Sequence, residues 1–193
     1  MRWRILPITT LFCLFSWFSA SGQCDGAPPK TEEYSKQAIQ KTTYLSSYIQ
    51  IICDNKSTII KASNAVDLAC KLFLDEERIV QVSSSNNKAV REFKVRHYFE
   101  HLKLLGYTKV EIVWVEVGYV SQLRKGVDGN YYGVITIKQK FTGYKNDMPA
   151  YQDITEKHIE VVLKQVEIAQ AGNSLQCWDV LLGDINVEET WQN

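Results

Sequence analysis

The pentapeptide His97-Tyr98-Phe99-Glu100-His101 sets two imidazoles four residues apart, with a carboxylate beside the second. On a helix, residues i and i+4 share a face. Both rings could then ligate one zinc ion while the glutamate acts as base on a bound water. A third ligand is needed. The remaining histidine, His158, lies in a stretch of strand-like alternation, and no acidic partner is marked by motif. Phe93, Tyr98, Leu102 and Leu105 follow helical spacing around the pentapeptide. The blander reading is a core-facing helix whose apolar stripe is bordered by two half-buried histidines. That reading is preferred, and no metal site is expected. The chain also has no G-x-S-x-G elbow, no Walker loop and no paired C-x-x-C. No catalytic residue and no cofactor are assigned, and the balance leans against an enzyme.

A second set of candidates comes from strand parity. Val110, Ile112 and Trp114 share one face of a strand, and Ile135, Ile137 and Phe141 share one face of the next. Pairing Arg124 with Tyr131 across the turn brings both apolar sets to the same side. Glu116 then stands opposite Gln139 on that side. In the following strand Ile159, Val161 and Leu163 join the face, and counting back by twos reaches Lys157, Thr155 and Asp153. Glu116, Gln139, Asp153, Thr155 and Lys157 are thus the polar pocket candidates, with Trp114, Phe141 and also Trp178 as apolar wall. Buried polar groups are costly unless paired. Such a cluster therefore lines a wet pocket, or overhangs into solvent, or is turned outward by a bulge near Ile154.

These residues need elements to hold them. Thr31 can cap a helix with Glu32 and Glu33 in its first turn, and Tyr34, Ala38, Leu45, Ile49 and Ile52 form its stripe. Asp54 to Ser57 breaks it. Ser57 can cap a second helix, in which Ile59, Ala62, Val66, Ala69, Cys70 and Phe73 keep the 3-and-4 spacing. Asn55-Lys56-Ser57 is also a glycosylation sequon, but a helix break is the simpler reading. A short strand follows over 78–83, then a third helix over about 88–105, ended by Gly106. After Gly106 the period changes to two. Long strands are expected over 109–123 and 131–141, with turns at Gly126 to Gly129 and Lys145 to Asp147. A third strand reaches Lys164 with an interruption around 154–157, and a last one covers about 176–182.

The order is ααβαββββ, an α+β arrangement in which three helices cover one face of a curved, mainly antiparallel sheet. This order, with "HYFEHLKLLGYTKVEIVW" and "GNYYGVITIKQKFTGY" as its best local support, resembles the NTF2-like (cystatin-like) superfamily. The resemblance implies a sheet wrapped around a long helix. Similar proteins include isomerases, dehydratases and hydrolases with a conical pocket, and also domains that only bind or dimerise. None of their acid–base motifs can be matched here residue by residue.

Arg2 and Arg4, the apolar run over 5–18 and the small residues Ser19 to Gly22 are the three parts of a signal peptide. The run is too short for a spanning helix. Signal peptide 1–22, a loose leader 23–30 and one NTF2-like domain over 31–193 are the expected divisions. Gln23 before Cys24 disfavours a lipid-anchored form, so a periplasmic or secreted location is expected. Without Arg2 and Arg4 the chain carries 20 basic against 22 acidic residues, and nucleic acid is not an expected partner. Cys53 and Cys70, at helix positions too far apart for a disulfide, should be buried free thiols. Aromatic residues crowd the strands. Tyr119, Tyr132 and Tyr144 are interface candidates, with a homodimer or another envelope protein as partner. The leading expectation is a non-catalytic, exported protein-binding or oligomerisation module. The alternative is a binder of a small apolar ligand, or an enzyme, that uses the concave side of the sheet.

Overall fold

Apolar residues at helical spacing determine where the core begins. A computed structural model describes residues 31–170 and 173–192. The expected signal peptide, the leader with Cys24 and the side chain of Tyr119 lie outside the described residues. Helix α1 (Thr31–Cys53) buries Tyr34, Ala38, Leu45, Ile49 and Ile52, the stripe its spacing dictates. Helix α2 (Ile59–Cys70) is capped by Thr58, whose side chain accepts from Lys61 N at 3.2 Å. The cap is therefore one residue later than Ser57, whose hydroxyl is buried. Ile59, expected in the stripe, is 85% exposed because the first turn overhangs the core. Cys53 and Cys70 are buried free thiols, and Cys177 is disulfide-bonded. Burial pushes the Cys53 thiol up to about 12 and that of Cys70 up to about 11.

The third helix is shorter than its sequence pattern suggests. Residues expected in its first half form a strand instead. Strand β1 (Ile79–Ser84) turns back into β2 (Asn87–Lys94), with Val82 opposite Arg91 and Val80 opposite Phe93. Asn87 closes the turn: its N–H donates to Ser84 Oγ at 3.1 Å, and its own side chain accepts from Ala89 N at 3.0 Å. Cross-strand pairing has overridden the helix propensity of Lys88, Ala89 and Glu92. Helix α3 (Val95–Leu102) then carries the His97–His101 pentapeptide. The helix ends at Leu102 with Lys103 as its cap, so Gly106, at φ +65°, does not end it but turns the loop that follows.

Strand β3 (Lys109–Val120), the two-residue β4 (Arg124–Lys125), β5 (Tyr131–Lys145), β6 (Met148–Gln170) and β7 (Asn173–Gln192) complete the order ααββαβββββ. Asn146 and Asp147 both have positive φ, so β5 and β6 meet in the two-residue turn whose twist suits a hairpin. No interruption occurs at 154–157. β6 pairs with β5 without a shift from Leu163 to Tyr151, and the bulges lie in β7 at Glu188 and at Gly183–Asp184. β7 accordingly runs well past the expected end at Leu182.

Among the described residues, three helices pack on one curved sheet ordered β2-β1-β7-β6-β5-β3, with β4 paired to β5. All pairings are antiparallel except β1 with β7. The core lies between α1, α2 and α3 and the concave side, where Phe99, Ile112, Ile135, Ile137, Ile159, Leu163 and Leu182 are fully buried. No described helix is long and apolar enough to cross a membrane.

Candidate functional site

The inward face of β6 changes character along its length. Ile159, Val161 and Leu163 face the core, while Lys157, Thr155 and Asp153, at steps of two on the same face, are equally buried but polar. Gln139 of β5 stands directly opposite Thr155, and Phe141 opposite Asp153. These five side chains line a half-open cavity of about 250 Å³. Strand parity brought four of the five polar candidates to one place. Uninterrupted β5–β6 register is the reason.

Glu116 is not among them. Trp114 pairs with Gln139, but Glu116 pairs with Lys138, so Val115 is an extra residue that turns the strand over. The Glu116 side chain is 57% exposed and pairs with Lys138 Nζ at 2.8 Å. Trp114 shares the inward side yet does not line the cavity. Its indole N–H donates to Thr42 O at 2.8 Å and fastens β3 to α1. Trp178 also lies elsewhere in the core, edge-on to Tyr131.

The remaining wall comes from residues outside the candidate set. Phe93 and Arg91 reach it from β2, and His101, Leu102 and Leu105 from α3 and the turn after it. His101 stacks on Phe93 at 5.1 Å, so one imidazole of the pentapeptide belongs to this wall, while His97 is exposed. No group of three metal-ligating side chains converges among the described residues. Tyr107 closes another side. A Cβ at Gly143 would lie 2.6 Å from its ring, so glycine there lets the ring lie against the β5 backbone and meet Phe141 edge-on. Tyr151, two residues before Asp153 on the same face, donates to Asp153 Oδ2 at 2.5 Å and accepts from Ser85 N at 2.9 Å. Continuing the count by one more step of two would have found it. Arg91 and Phe93 were hidden because their strand reads as helix.

Electrostatically the cavity is unusual for its depth. Lys157 is 4% exposed, and its amine donates to Gln81 O at 3.4 Å. Among the described residues no carboxylate oxygen lies within 4.0 Å of that amine. Burial pushes Lys157 down to about 8, against the opposing field of Asp153. Burial likewise raises the Asp153 carboxyl, more than the Tyr151 hydrogen bond and the Lys157 charge lower it. Thr155 Oγ1 meets Thr190 Oγ1 at 3.0 Å, and Thr190 in turn meets Ser83 Oγ, so hydroxyls satisfy one another along this wall.

The raised Asp153 carboxyl has a pH consequence. The folded chain keeps its proton to higher pH than the unfolded chain does, so stability falls as pH rises above 3.8 through the raised value. Asp153→Asn should remove that loss. Relative to the variant, the wild type should lose stability as pH rises from the ordinary carboxylate value through the raised one, read by denaturant unfolding. A constant difference would show that Asp153 titrates normally.

Of the interface candidates, Tyr132 donates to Asp128 at 2.6 Å and Tyr144 to Glu111 at 2.7 Å. Both rings are held by their own chain and are half-buried. No family model, no curated protein and no solved structure matches the chain.

Proposed function

We propose that the protein binds a small molecule in the cup of an NTF2-like fold. The observation that carries this reading is the cavity itself. Aromatic and aliphatic walls from β2, α3 and β5 enclose Lys157, Asp153 and Gln139, which are polar groups a sealed core would exclude. A concave, mainly apolar site with a few convergent polar groups is the usual form of a ligand pocket. Helices covering one side of a curved antiparallel sheet support the NTF2-like assignment. Binding without turnover is the activity proposed. Export belongs to the same proposal and rests on the basic start, the apolar run and the small residues before Gln23.

Leu105 is half-buried and lines the cup from the edge of the core, so Leu105→Trp should fill the cup. The wild type should bind the neutral probe 1-octanol, and the variant should bind it at least roughly tenfold more weakly with little change in thermal midpoint. No octanol binding by the wild type, or equal binding by both proteins, would remove the basis of this reading.

A protein-binding or oligomerisation role is a second reading, favoured by one observation. β3 is an edge strand, and Val113 and Val115 stand exposed along it. Unpaired edges and exposed apolar residues invite association. Light scattering of the purified protein tests it: a dimer dissociated by Val115→Lys supports assembly through β3, and a monomer at all concentrations opposes it.

A further inference from the structure

We infer that the cup takes a small amphipathic carboxylic acid, with its carboxylate against the Lys157 amine and its apolar body along Phe93, Phe141 and Leu102. The inference rests on the cup reading and adds the chemical class of ligand. Three observations support it. The first is the state of Lys157. A buried ammonium needs a counter-charge and several acceptors, or its burial costs several kcal/mol. Among the described residues this one has a single long hydrogen bond, to Gln81 O at 3.4 Å.

The second is that Asp153 does not fill the role. It lies four residues away along an extended strand, about 13 Å between Cα atoms at ~3.3 Å per residue, and Tyr151 holds its carboxylate from the other side. The third is the balance of charge. Arg91, whose guanidinium lies 5.8 Å from the centre of the Phe93 ring, and Lys157 both line the cup, with His101 beside them. Asp153 is the sole carboxylate among the described lining residues, whose balance is thus positive and favours an anion over an amine.

Size limits the body of the ligand. The cavity is about 250 Å³ and half-open, which suits an acid with a medium-length alkyl chain or with one aromatic ring.

The test holds the body constant and changes the head. Octanoate, 1-octanol and octylamine are titrated calorimetrically into the full chain and into Lys157→Met, at neutral pH. A charged hydrogen bond of this kind corresponds to at least roughly tenfold in affinity. Octanoate should therefore bind the wild type that much more tightly than octanol, with octylamine weakest. In Lys157→Met the preference for octanoate over octanol should be lost. Octanol or octylamine binding the wild type as tightly as octanoate would overturn the acid assignment and leave the cup standing, with no recourse to a variant. Retained octanoate preference in Lys157→Met would overturn the role of that amine. Binding of none of the three would overturn the cup reading and this inference together.

Discussion

Lys157→Met should make the ligand-free protein more stable at pH 7, by up to about 3 kcal/mol. The side chain is 4% exposed and its amine is held down to about 8, against 10.5 for an unburied lysine. Between those values the unfolded chain binds more protons than the folded chain, so stability rises with pH. The destabilisation is fully present below pH 8 and is gone above 10.5. At ~1.4 kcal/mol per pH unit, that gap corresponds to about 3 kcal/mol. Methionine has a similar volume and no charge to bury. Denaturant unfolding at neutral and at alkaline pH should show the variant ahead at pH 7 and the wild type closing the difference by about pH 10. A variant less stable than the wild type at pH 7, or a difference independent of pH, would mean that the folded protein compensates the charge in place. A residue that costs stability in the free protein is understandable where it serves a ligand.

Phe99→Ala should cost about 3–5 kcal/mol, whereas His97→Ala should cost less than about 0.5 kcal/mol. Both residues belong to the pentapeptide that resembles a zinc site, and the structure separates their roles. Phe99 is fully buried and meets Phe73 edge-on at 6.1 Å, so its removal leaves a cavity between α2 and α3. His97 is exposed. Added zinc should leave the thermal midpoint of the wild type unchanged. If His97→Ala destabilised as strongly as Phe99→Ala, or if zinc raised the midpoint in a His97-dependent way, the packing explanation of this motif would fail.

Sequence periodicity and strand pairing differ in what they reveal about this protein. The α1 stripe was legible because five residues at helical spacing meet one sheet, and nothing competes with that burial. Parity placed Gln139, Asp153, Thr155 and Lys157 together because β5 and β6 keep one register along that stretch. The same counting failed at Glu116. Val113, Val115 and Val117 alternate as regularly as Val110, Ile112 and Trp114, so nothing in the pattern marks the residue at which the bulge exchanges the faces. β2 was unreadable for another reason. Its residues favour a helix locally, and only the partner strand β1, at a distance set by the Ser85–Asn86 turn, makes extended backbone the better arrangement. That one difference hid Arg91 and Phe93, and with them one of the two basic side chains and part of the apolar wall of the cup.

The most direct test of the cup is protein-observed NMR of the full chain with aromatic, leucine and valine side chains labelled, titrated with 1-octanol. The cup reading predicts saturable shifts at Phe93, Phe141, Tyr151, Leu102 and Leu105, and none at the valines of β3. Absence of shifts, or shifts confined to Val113 and Val115 on that edge strand, would contradict it.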